Sequence, residues 1–200
     1  MIPTAPLRAR NRLAELILAA LADAGARDEL AAIGGPDEDA TAWLVEDEIP
    51  YRHLLRERAH RACTALASRP PGASVRSRAD GLAAAATLFD AYLYFEVHEL
   101  LEGFWRDAHG DDREALQGLI QVAVGYQHLA NSNYAGARVL LEEGSGRLLG
   151  RRLDGIELEP FAHGVRRSLA RLLEFDWRAV PPFPSAALRA VRRTHRKETS

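Results

Sequence analysis

Residues 113–130, REALQGLIQVAVGYQHLA, restrict the fold more than any other stretch: at about 100° per residue, their apolar and small side chains point in nearly every direction around a helix axis. A helix that is apolar all round is buried, so other elements must enclose it, and its few polar side chains must find partners inside the protein. The rest of the chain supplies helices for that purpose. Leu13, Leu16, Ile17, Ala20 and Leu21 recur at helical spacing until Gly25, predicting a first amphipathic helix from about Pro6 to Ala24. A second is predicted from the GGPDED turn to Pro50 and a third from Tyr51 to about Ser68, after which RPPGASVRSRAD reads as a linker. Beyond it come a helix over GLAAAATLFD, a turn at Ala91 to Leu93 and a helix from Tyr94 to Asp107. HGDD then forms a break, with Asp111 or Asp112 as N-cap of the buried helix. NSN supplies a left-handed stop at Asn131 and an N-cap at Asn133 for a helix from Tyr134 to about Leu149, and PFAHGVRRSLARLLEF makes one more amphipathic helix.

No strand is predicted. The fold class is therefore all-α, a multihelical bundle of stacked helix hairpins. Residues 1–75 are an N-terminal helical extension and linker, 76–180 a core helical domain, and 181–200 a C-terminal tail introduced by PPFP. Sliding the chain by 40 positions pairs Tyr94 with Tyr134, Leu100 with Leu140, Leu101 with Leu141, Glu102 with Glu142 and small Val97 with small Ala137. Two helix hairpins built on one plan follow from that match.

Composition narrows the function. A chain of 200 residues makes one domain with a real core, and a net charge of −2 lacks the basic footprint of a nucleic-acid binder. Cys63 is the single cysteine, which excludes an internal disulfide or a multi-cysteine zinc site and suits a core position in a reducing cytoplasm. Glu15 and Asp23 interrupt LAELILAALADAG, so no membrane partner is expected and the localisation read from the sequence is cytoplasmic.

Candidate chemistry centres on YFEVHELLEGFW. Tyr94, His98, Leu101, Glu102 and Trp105 share one helical stripe, which Leu101 and Trp105 turn inward; Glu99 lies at its margin and Glu96 points further away. Gln117, Gln121, Val124, His128 and Asn131 share a stripe on the buried helix, so His98 and Glu102 are expected to meet Gln121 and His128 across a helix pair. Three uses of that cluster are open. It can be a hydrogen-bonded core network that fixes helix register. It can hold a divalent metal through His98, Glu102 and His128, since imidazole and carboxylate suit zinc, iron or manganese, although HELLE lacks the second histidine of HExxH. Or it can do acid and base chemistry with His98, Glu102 and Glu99 as catalytic groups. Gln117, Gln121, Trp105 and Asn131 are the candidate binding residues.

YFEVHELLEGFW, QGLIQVA, His128 and NYAGA together resemble the signature of the domain of unknown function 309 family, over about Phe89 to Leu149. The resemblance implies a compact multihelical fold of small, mostly bacterial and archaeal proteins and brings no established activity, cofactor or substrate. Its motif positions fall here on Glu96, His98, Glu99, Glu102, Trp105, Gln117, Gln121, His128 and Asn133. Ser132 and Tyr92 stand where the family commonly has glycine, and the first 75 or so residues lie outside the resemblance as a helical cap. The function expected is a binding or scaffold module that receives a protein, a peptide, a small-molecule ligand or a second copy of the chain; the alternative is a metal-dependent hydrolase using His98, Glu102 and His128.

Overall fold

The computed structural model describes residues 5–36, 39–70, 75–170 and 172–185. Among them the chain is almost entirely helical: α1 (Leu7–Ala19), α2 (Ala24–Gly34), α3 (Arg52–Leu66), α4 (Arg78–Asp90), α5 (Tyr94–Asp107), α6 (Gly110–Ala130), α7 (Tyr134–Leu148) and α8 (Glu159–Leu169). α6 is the central rod. It packs between α5 and α7, α4 covers α5, and α8 covers α7. The three N-terminal helices pack on one another and reach the rest through contacts of α1 with α5 and of α3 with α4. Their apolar side chains belong to the same hydrophobic cluster as those of α4 to α8. None of the described helices is long and apolar enough to cross a membrane.

Several boundaries differ from the sequence reading, each for a local reason. The first helix ends at Ala19, and Gly25 is not a stop: the Asp23 carboxylate accepts the Ala26 N–H at 2.6 Å and caps a second helix that runs through it. Between Gly34 and Arg52, where a regular helix was expected, the described residues make only the 3-10 turns Asp39–Thr41 and Glu46–Tyr51. His109 is the residue that precedes α6, so Asp111 and Asp112 lie inside its first turn, where carboxylates oppose the positive end of the helix dipole. A strand pair was also missed: β1 (Arg152–Leu153) and β2 (Ile156–Glu157) pair antiparallel around Asp154 and Gly155, with φ of +46° and +73°. That is the Asp-Gly turn of a two-residue hairpin. Arg78 ties this hairpin to the starts of α4 and α6, donating to Asp154 at 2.9 Å and to Asp112 at 2.7 Å. Phe183, from the stretch read as a tail, is buried among Phe89 and Phe161, and its N–H bonds the Asp90 carboxylate at 3.2 Å.

The 40-residue repeat is visible in the backbone. At the end of α4 the Tyr92 N–H bonds Phe89 O and the Leu93 N–H bonds Leu88 O; at the end of α6 the Ser132 N–H bonds Leu129 O and the Asn133 N–H bonds His128 O. These are two copies of the Schellman stop, each with its left-handed residue, Tyr92 at φ +60° and Ser132 at φ +58°. The left-handed position is thus Ser132 and not Asn131, while Asn133 does cap α7 by accepting the Gly136 N–H at 3.0 Å. The matched pairs Val97 with Ala137 and Leu101 with Leu141 are all fully buried. Since a side chain resists this backbone region, Ser132→Gly should raise stability by about 0.5–1 kcal/mol, read as a rise of the thermal midpoint by about 1–4 °C. Tyr92→Gly should gain less, because the Tyr92 ring packs edge-on against Tyr94 and Trp177.

Candidate functional site

The buried stripe of α5 is Tyr94, Val97 and Leu101, each at most 1% exposed. His98 and Glu102 sit one residue, about 100°, round from Val97 and Leu101, and therefore lie at the edge of the packed face. Their side chains are 28% and 32% exposed, and that of Glu99 is 39% exposed. The His98 Nδ1 lies 3.0 Å from a Glu99 oxygen, and its Nε2 lies 4.0 Å from Glu102, which also meets Arg106 at 3.3 Å. One ligand atom from each of His98, Glu99 and Glu102 falls within 4.8 Å of the others. The result is a half-buried His/Glu/Glu cluster on a single helix.

The rest of the expected cluster goes elsewhere. Gln121 faces α7, where its amide donates to Glu143 at 3.0 Å and its oxygen accepts from Arg147 at 3.0 Å. Arg147 also pairs with Glu114, so the QGLIQ segment is stitched to α7 rather than to α5. His128 lies in the last turn of α6, where its Nδ1 meets the Asn133 amide nitrogen at 2.8 Å. The Asn133 oxygen is taken by Gly136, which leaves its NH2 as donor and the imidazole Nδ1 as acceptor. His128 thus braces the second Schellman turn. A four-residue cluster of His98, Glu102, Gln121 and His128 does not form, nor does a metal set that includes His128, because the stripes of α5 and α6 are rotated away from one another. Gln117 is half-buried on α6. Trp105 packs under the Arg113 guanidinium at 3.8 Å, and Arg113 in turn donates to the Trp105 carbonyl at 3.0 Å.

Glu96 does point away from the His98 stripe, and it points into the protein. Its carboxylate is 0% exposed and receives two bonds from Arg58 of α3, at 2.7 and 2.5 Å. Glu96 and His98 flank Val97 on opposite sides, one turned to the N-terminal helices and the other to the open margin. Cys63 of α3 is partly buried, and burial pushes its thiol above the usual range, which disfavours the reactive thiolate.

Beside Glu96 the helices form an open-sided cavity of about 600 Å³. Arg10 of α1, Arg58 and Arg61 of α3, Tyr94 of α5 and Asn131 at the end of α6 line it, with Trp177 at the rim. Asn131 was among the sequence candidates for binding; the arginines and aromatic residues were not. Their only sequence signal was arginine at half-buried positions of apolar-periodic helices, and nothing local says that α1, α3 and the α6 end converge.

Residues 82–140 match the model of a family described as a domain of unknown function (DUF309). That region holds most of α4, all of α5 and α6 and the first half of α7, and so contains both Schellman turns and the His98 cluster. No curated protein and no solved structure matches the chain.

Proposed function

We propose that the protein is a binding module for a small molecule, with the cavity at the junction of α1, α3, α5 and α6 as its ligand site. The observation that carries this reading is the cavity's lining, where Tyr92, Tyr94 and Trp177 stand with Arg10, Arg58 and Arg61; its volume of about 600 Å³ is compatible with the roughly 300–1,000 Å³ usual for small-molecule sites. Its walls mix aromatic and aliphatic surface with guanidinium and amide groups, the composition by which such sites combine burial with orientation. A screen of small neutral and charged aromatic fragments by NMR should produce shifts at Tyr92, Gln127 and Trp177. Ala130→Trp, which puts an indole at the wall, should abolish them while keeping the unfolding midpoint. Fragments that shift other surfaces, or that bind this variant unchanged, would overturn the reading.

A second reading rests on the His98, Glu99 and Glu102 ligand atoms, which lie close enough to share one ion. Imidazole with two carboxylates suits zinc or manganese, and three protein ligands leave coordination positions for water or a substrate oxygen. Titration with zinc and with manganese should then give one site per chain, lost in His98→Ala and in Glu102→Gln and retained in His128→Ala. Equal binding by the His98→Ala variant would remove the metal from this place.

A further inference from the structure

Two donors around the cavity have no acceptor among the described residues. Tyr94 lines the wall at 1% exposure with its hydroxyl unpaired, and Nε of Arg10 is buried without a hydrogen-bond partner. Buried donors are nearly always paired, so two beside one cavity call for an acceptor from outside the chain. Charge points the same way. Arg58 is neutralised by Glu96 and Arg61 by Glu57 at 2.6 Å, whereas Arg10 rests over the Phe95 ring at 4.1 Å and donates to the Asn11 amide oxygen at 3.3 Å. Among the described residues Arg10 makes no ion pair. At the rim, Tyr92 and Trp177 meet edge to face at 5.9 Å, and each is more than a third exposed. Exposed rings of this kind favour a flat partner.

Resting on the cavity reading above, we infer that the ligand is a small aromatic acid, its carboxylate or phosphate accepting from Arg10 and the Tyr94 hydroxyl and its ring lying against Tyr92 and Trp177. Trp177 stacks on Tyr94 at 6.3 Å, and the hydroxyl has almost no accessible surface. An acid that reaches the hydroxyl therefore moves the Trp177 indole, which makes that residue the reporter of binding.

The test compares indole-3-carboxylate, phenyl phosphate, inorganic phosphate and the neutral indole-3-carboxamide on the full chain, by calorimetry and by chemical shift at Trp177. One of the two aromatic acids should bind at least about tenfold more tightly than the carboxamide, since a charge-assisted pair is the stronger one. Which of them prefers the site tells carboxylate from phosphate. Arg10→Met, which removes the guanidinium and keeps an unbranched side chain, should erase the preference for acid. Tyr94→Phe should weaken the acid about fivefold with no loss of stability, because the hydroxyl it removes bonds nothing in the free protein. Equal binding of acid and carboxamide, or an acid preference untouched by Arg10→Met, overturns the inference while leaving the cavity reading in place. Inorganic phosphate binding as tightly as the aromatic acids overturns the ring contact. Failure of neutral and charged fragments alike overturns the cavity reading itself.

Discussion

Arg58→Met should lower the stability of the fold by about 3–5 kcal/mol, a large part of the margin of a typical domain. The substitution keeps the aliphatic stem but leaves the Glu96 carboxylate at 0% exposure without either of its guanidinium bonds. Removing one partner of a buried ion pair is costly because the other charge has been taken out of water with nothing to offset it. The pairing of Arg58→Met with Glu96→Leu supplies the check: urea unfolding should show the double variant recovering most of the loss. A double variant as unstable as the single one would mean that the damage lies in packing and not in the stranded carboxylate. Ligand binding should fall with the single variant too, since Arg58 stands in the cavity wall.

Gly144→Val should cost about 2–3 kcal/mol, measured in the same way. A Cβ at Gly144 would stand 2.9 Å from the Gly118 carbonyl oxygen and 3.0 Å from atoms of Gln121 and Val122. One at Gly118 would meet Leu148 at 2.7 Å and the Gly144 oxygen at 3.0 Å. α6 and α7 therefore cross with their backbones nearly touching, and a branched side chain must wedge apart the most extensive contact among the described helices. Gly103 of α5 is the contrast. It is exposed and a Cβ there meets nothing within 4 Å, so Gly103→Ala should gain about 0.5–1 kcal/mol from helix propensity alone.

Helical periodicity made most of the architecture legible. α3 and α5 to α7 begin and end within a few residues of their predicted bounds, because their apolar stripes are long and their stops use glycine, asparagine or a polar turn. α2 was missed because Gly25 was read as a terminator, whereas the Asp23 cap before it outweighs one glycine. The Asp154 and Gly155 hairpin was missed because strands of two residues carry no periodic signal. The candidate site was harder. Stripe arithmetic placed His98 beside Glu102 correctly, since both lie on one helix, but the rotation of that helix against its neighbours decides which flank is buried. Here Tyr94, Val97 and Leu101 set it, which brings Glu96 in and leaves His98 at the edge. Glu96 then finds Arg58, 38 residues earlier, with the whole of α4 between them in sequence. No local pattern announces such a partner.

The ion pair between α3 and α5 also determines what a shortened chain would retain. A protein cut down to the stretch from 82 to 140 would keep the ridge of His98, Glu99 and Glu102, yet would have lost Arg10, Arg58 and Arg61 and would carry Glu96 with no counter-charge. Chamber and ridge are therefore separable: the second lies wholly within residues 82–140, while the first also needs side chains from the leading helices and from the Trp177 turn.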